Sequence, residues 1–188
     1  MARINAIKNE VGGKLPNVYL LHGELTDIEM NALYNHEKVK AHISFTHGEG
    51  FGHPLLLASL SGKPVFASNW SGHLDFLNPK YAQLLQGNIK QVDPASVNQW
   101  IIKESSWFNV AYGLAESRIK NMFYSPSKEI RENAEKLAIE NAEKFSLDAM
   151  DKILHANLDK YVPQFAVEKK VVIPSLKKSL VKKLELPK

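Results

Sequence analysis

The chain has 188 residues and a mass of 21.2 kDa, with 44% hydrophobic and 23% charged residues. That is one ordinary domain, or one domain plus an extension, with enough apolar material to build a core without metal or disulfide staples. Cysteine is absent, which excludes disulfides, thiolate metal sites and cysteine nucleophiles and favours a reducing compartment. No apolar run approaches the roughly 18 residues of a membrane helix, and the N-terminus MARINAIKNE lacks the apolar stretch of a signal peptide. The expectation is a soluble cytoplasmic protein. The net charge of +4 is uneven: Glu168 to Lys188 carries seven lysines and two glutamates, leaving −1 for the rest. The basic pI therefore describes a tail and not a nucleic-acid-binding body.

In chain order, Asn17–His22 (NVYLLH) reads as a buried strand. Thr26 and Glu29 form a capping box for a helix reaching about His36. Ala41–Thr46 is a second strand. Pro54–Ser61 is a short helix, with proline in its first turn and Gly62 as its stop. Pro64–Ser68 is a third strand, His73–Leu77 a helical turn, and Ala82–Gln86 a fourth strand. Alternation at this spacing implies βαβ units and a parallel sheet. From about Pro94 to Val162 the pattern is mainly helical, with an aromatic, less regular middle at Glu104–Tyr112. A long helix spans about Pro126–Phe145, with Asn133, Lys136, Glu140 and Glu143 on its wet face and Ile130, Ala134, Leu137 and Ala138 on its buried one. Ser146 and Asp148 can cap a further helix ending near Pro163, with Leu147, Met150, Ile153, Leu154 and Leu158 as its apolar stripe, expected to pack. The tail, residues 163–188, is rich in lysine and proline and reads as extended or disordered.

The segment with chemical content is Ser44–Leu77. A strand ends at Thr46, a turn carries Gly48, Gly50 and Gly52, and a helix opens at Pro54. Strand, glycine-rich turn and helix start together offer backbone N–H groups to an anion. Pro54 has no N–H, so the helical donors would be Leu55, Leu56 and Leu57. Such turns lie at the carboxyl ends of parallel strands, where ligands bind. Glu49, inside the turn, could accept hydrogen bonds from hydroxyls.

Glu49-Gly50-Phe51-Gly52-His53-Pro54, then Ala58, Gly62-Lys63-Pro64-Val65 and Gly72, resembles the C-terminal, donor-binding half of GT-B glycosyltransferases of the retaining Glu-x7-Glu type. Their pattern is E-G-F-G-x-P-x-x-E-A followed by G-x-P-V. The resemblance covers about Asn17–Val162, and the aromatic and helical second zone resembles phage and viral members. It implies an α/β fold: a partial doubly wound, Rossmann-like parallel sheet holding strands three to six of the GT-B C-terminal domain. Residues 1–162 would form this domain, with C-terminal helices from about residue 114. It implies transfer of a hexose from a nucleotide-sugar such as a UDP- or GDP-sugar, with no metal and no other cofactor. Glu49 would contact the donor sugar as the catalytic-site carboxylate. The backbone of Gly50, Phe51 and Gly52, next to His53, would line the sugar. The Leu55 and Leu56 amides would face the diphosphate, and the loop at His22, Gly23 and Glu24 would lie near the base.

Two departures accompany the resemblance. The family's second glutamate, which binds ribose hydroxyls, falls at Leu57, which cannot. The family's Arg and Lys for the diphosphate lie upstream of the matched region. In the order 3-2-1-4-5-6, strands two and one should separate Asn17–His22 from Ala41–Thr46. Either these two pair directly or a gap leaves a sheet edge open. The expectation is a segment of a larger enzyme or one subunit of a split one, completed by an N-terminal GT-B domain or separate chain. In the family the last helices cross back to the N-terminal domain, so the resemblance would leave part of the Leu147–Leu158 stripe exposed here. The acceptor is open, DNA included.

Plainer readings stand beside these. The glycine turn could be a tight connection and Glu49 a solvated turn residue. His47, His53 and Glu49 fit no compact zinc pattern. Ser71, His73 and Asp75 lack the fold-assembled character of a triad. Trp100, Trp107 and Phe108 could stack on a base or sugar, but packing is the favoured reading. An inactive binding or assembly module, and nucleic-acid binding through the tail, are the alternatives to catalysis.

Overall fold

The structure is a computed structural model that describes residues 2–13 and 15–163. In chain order the elements are α1 (Ala2–Val11), α2 (Asp27–Asn35), β1 (His42–Ser44), α3 (His53–Ser59), β2 (Val65–Ser68), β3 (Gln83–Leu85), β4 (Gly87–Gln91), β5 (Ser106–Val110), α4 (Tyr112–Tyr124), α5 (Lys128–Lys144) and α6 (Leu147–Tyr161). A 3-10 turn covers Gly72–Asp75 between β2 and β3. Residues 164–188, and with them the reading of the basic tail, lie outside the described residues.

β1, β2 and β3 form a parallel three-stranded sheet in that order. All four residues of β2 are buried, as a strand covered on both faces must be. Its side chains alternate. Val65 and Ala67 join Leu55, Leu56 and Ala58 of α3, Leu84 of β3 and Leu137 of α5 in one core. Phe66 points the other way, with Leu85, into a second core with Phe108, Val110, Ala115 and Met122. The sheet is thus the middle layer between α3 and α5 on one side and the β5 and α4 region on the other.

Local signals place the elements where the residues demand. Thr26 and Glu29 close the capping box of α2: the Glu29 carboxylate accepts from the Thr26 N–H at 2.8 Å, and the Thr26 hydroxyl accepts from the Glu29 N–H at 3.3 Å. These bonds hold the Glu29 carboxyl below its ordinary pKa. Lys63 donates to the Tyr34 and His36 carbonyls at 2.7 and 2.6 Å, capping the other end of α2 with a cation. Inside the first core, Asn141 of α5 donates to the Ser59 hydroxyl at 2.8 Å, and Ser59 donates to the Leu56 carbonyl at 2.7 Å. This buried polar link ties α5 to α3.

Several expectations need correction. Asn17–His22 forms no strand. It is exposed along its length, with Tyr19 and Leu21 at 82% and 71%, because no described strand pairs with it and no layer covers it. β1 is consequently an open edge. The His42 N–H donates to the Pro64 carbonyl at 2.9 Å, so the alternate residues Ala41, Ile43 and Phe45 turn their backbone groups away from β2. No strand meets them among the described residues.

The aromatic stretch before α4 is β5, and it pairs antiparallel with β4. Before it, the segment from Pro94 carries only a 3-10 turn at Pro94–Ser96, and α-helix begins at Tyr112. On α5, Asn133 and Glu140 are half-buried, and Glu140 accepts from the Asn78 carboxamide at 3.2 Å. Asn141, not anticipated, is fully buried. The stripe on α6 does not pack: no residue of this helix is buried. Among the described elements, α5 is the one that packs substantially against α6.

Candidate functional site

The turn between β1 and α3 is held from behind and open in front. The Glu49 N–H donates to the Ser71 hydroxyl at 3.1 Å, and that hydroxyl donates to the Glu49 carbonyl at 2.6 Å. The Gly72 N–H donates to the same carbonyl at 3.0 Å. This approach is so close that a Cβ on Gly72 would lie 2.0 Å from the Gly50 oxygen. Ser71 is the one non-glycine residue with positive φ among those described, at 83°. Such a conformation costs on the order of 1–3 kcal/mol, and the two hydrogen bonds between the Ser71 hydroxyl and the Glu49 backbone offset it. Gly52 sits in the left-handed region at φ 88°, with His73 beneath it.

His47 fastens the turn to β5. Its Nδ1–H donates to the Phe108 carbonyl at 2.7 Å, and the Phe108 N–H donates back to the His47 carbonyl at 3.3 Å. The His47 ring lies flat on Trp107, with centroids 4.2 Å apart, and Trp70 lies parallel to Phe108 at 6.0 Å. Trp107 and Phe108 are thus packing residues of the turn's rear wall, whereas Trp100 is exposed.

With its backbone clasped, Glu49 presents a carboxylate that has no hydrogen-bond partner among the described residues and lines a cavity of about 260 Å³. The other walls are Tyr34, His42, Ile43, Ser44, Pro54, Leu55 and Ala58. Of the residues expected at the site, Glu49 and Leu55 line this cavity. His53 and Leu57 line a neighbouring cleft of about 360 Å³ between α2 and α3, bordered by Asp27 and sharing Tyr34. Gly50, Phe51, Gly52 and Leu56 wall neither cavity; Leu56 is core. The Phe51 ring packs against Phe76 and Phe145, at 5.1 and 5.8 Å between centroids. His22 and Gly23 are exposed and line neither cavity.

The amides also redistribute. Leu55 and Leu56 donate to the Gly52 carbonyl at 2.8 and 3.1 Å, so they are the first helical bonds of α3 and not free donors. The N–H groups of Gly50, Phe51, Gly52 and His53 have no acceptor among the described residues.

His42, Tyr34 and Ser44 are site residues that sequence reasoning missed. The Ser61 hydroxyl donates to the Ala58 carbonyl at 2.6 Å, so it accepts from His42 Nε2–H, 3.1 Å away. Tyr34 meets the His42 ring edge-on at 5.3 Å. Burial, and then the positive charge of Lys63, lower the His42 pKa below its ordinary value. The ring is therefore a neutral wall of the cavity near pH 7. Their only sequence signal is the alternation of His42 and Ser44 on one strand.

Ser71, His73 and Asp75 are not joined: Ser71 serves Glu49, and buried His73 donates from Nε2 to the Ser68 carbonyl at 2.6 Å. No group of three or more His, Asp or Glu side chains able to hold a metal ion occurs among the described residues. No described helix is long and apolar enough to cross a membrane. No protein-family model matches the chain, and a search of curated proteins finds no match.

Proposed function

We propose that the chain is the donor-binding side of a retaining GT-B-type glycosyltransferase, taking a hexose from a UDP- or GDP-sugar, in a cytoplasmic, phage-encoded setting. The observation that carries this reading is Glu49: an unpartnered carboxylate on a rigid backbone, opening on a cavity at a strand-to-helix turn. A carboxylate so placed accepts hydrogen bonds from sugar hydroxyls. As the anomeric carbon is attacked, charge develops on the leaving diphosphate, and fixed N–H groups stabilise it. Here the N–H groups of Leu55 and Leu56 are spent within α3, and the turn's N–H groups without an acceptor among the described residues are those of residues 50–53.

The partner implied is an N-terminal domain or separate chain whose strands continue the sheet at the free edge of β1 and bring the acceptor, for which DNA is one class. Catalysis requires that complement, because the resemblance puts the cationic diphosphate ligands upstream of the matched residues. A second reading, an inactive binding or assembly module, draws on Leu57: a half-exposed apolar side chain stands where ribose hydroxyls would need a carboxylate.

Calorimetric titration with UDP, UDP-glucose and GDP-mannose tests the first reading. Binding of a nucleotide-sugar that weakens at least about tenfold in Glu49→Ala, roughly 1.4 kcal/mol, is expected. Binding indifferent to that substitution would remove Glu49 from the site, and no binding to any donor would favour the assembly module.

A further inference from the structure

The cleft between α2 and α3 is chemically unlike a helix–helix interface. The face of α2 that lines it carries Asp27, Asn31 and Asn35, four residues apart, where a packed pair of helices would place apolar residues. Met30, Leu57 and Leu60 give it an apolar wall. At about 360 Å³, largely apolar with a few polar groups, it has the size and make-up of a small-molecule pocket.

Its polar groups are unspent. Thr26 and Glu29 make the cap of α2, so the Asp27 carboxylate accepts no hydrogen bond and meets no cation among the described residues. Asn35 Nδ2–H donates to the Asn31 carbonyl at 2.9 Å and to Asn31 Oδ1 at 3.0 Å. The second bond orients the Asn31 carboxamide, whose own Nδ2 donates to nothing among the described residues.

The cleft also meets the Glu49 cavity. Tyr34 lines both, and Ser61 of the cleft accepts from His42 of the cavity at 3.1 Å. The N–H groups without acceptors run from Gly50, next to Glu49, to His53, whose side chain lines the cleft. An anionic link held along those amides would join a hydroxyl-rich group at Glu49 to a second group in the cleft.

We infer that Asp27 selects the ribose of the donor: the cleft holds a ribonucleoside, with the Asp27 carboxylate accepting from its 2′-hydroxyl and the apolar wall lying against its base. This rests on the nucleotide-sugar reading. An ionised carboxylate only accepts, and the 2′-hydroxyl supplies the donor it lacks. A 2′-deoxyribose displaces water from Asp27 and returns no hydrogen bond.

Calorimetric titration of the full chain with UDP and GDP, each beside its 2′-deoxy counterpart, is the test. At least one ribonucleotide is expected to bind at least about tenfold more tightly than its 2′-deoxy form. Asp27→Asn keeps the shape of the side chain and leaves the Thr26–Glu29 cap in place. It should weaken the ribonucleotide and bring the two forms to within about twofold of each other. Amide chemical-shift changes on binding should centre on residues 27–35 and 53–61. Equal binding of the two forms, a preference that survives Asp27→Asn, or shifts centred elsewhere overturns the inference, while a Glu49-dependent titration with a nucleotide-sugar would keep the sugar-transfer reading standing. Failure of both nucleotides to bind overturns it as well, and if the nucleotide-sugars also fail, the sugar-transfer reading falls with it.

Discussion

Val65–Ser68 and Asn17–Leu21 are similar in composition and opposite in fate. Both are short apolar runs. The first is buried on both faces as the central strand β2, and the second lies exposed with no ladder partner. Burial is a property of neighbours. β2 has a strand on each side and a helical or β layer on each face, whereas Asn17–Leu21 has none of these among the described residues. The two segments should therefore answer very differently to the same kind of substitution.

The largest contrast is expected from truncation. Phe66→Ala opens the second core and should cost about 3–5 kcal/mol, while Leu20→Ala should stay within about 0.5 kcal/mol. Urea denaturation of both variants measures the gap. Comparable losses would mean that Asn17–Leu21 is packed in solution, and the contrast would collapse.

Gly72→Ala should come next. A methyl group 2.0 Å from the Gly50 oxygen forces the two loops apart, at a cost on the order of 2–4 kcal/mol. Unlike Phe66→Ala, it should also disturb the Glu49 turn while leaving the cores intact. The expected signature is a lowered Tm with chemical-shift changes concentrated at residues 48–52.

The smallest effect concerns His42. Its folded pKa lies below the unfolded value of about 6.5, through burial and the Lys63 charge. As pH falls through 6.5 the unfolded chain takes up a proton that the folded chain resists, so stability is lost on acidification and fully present above that value. The half-exposed ring is screened by solvent, so the slope is shallow. His42→Gln should flatten the stability profile between pH 7 and pH 5, and an unchanged slope would assign the pH dependence to other groups.

What was readable in the residues was local. The Thr26–Glu29 box, the Pro54 start and Gly62 stop of α3, and the Ser146 cap of α6 depend on atoms within four residues, and each appears within about a turn of its expected place. The β4–β5 hairpin was hidden because its strands lie 14 residues apart and β4 is largely exposed and polar, so neither alternation nor a tight-turn dipeptide marks it. In the candidate site, Glu49 stood out because glycines surround it. Tyr34, His42 and Ser44 did not, because only the docking of α2 beside β1 gathers them around one cavity. Asn141 was obscured by its own chemistry: a carboxamide on a helix reads as solvent-facing until its partner Ser59 is placed.

The paired bonds between His47 and Phe108 have a dynamic consequence. They join the glycine turn to the hairpin by two reciprocal links, so neither can open without breaking the other's bonds, and the two behave as one cooperative unit of local unfolding. A molecule seated against Glu49 should then slow amide hydrogen exchange in β5, a strand it never touches.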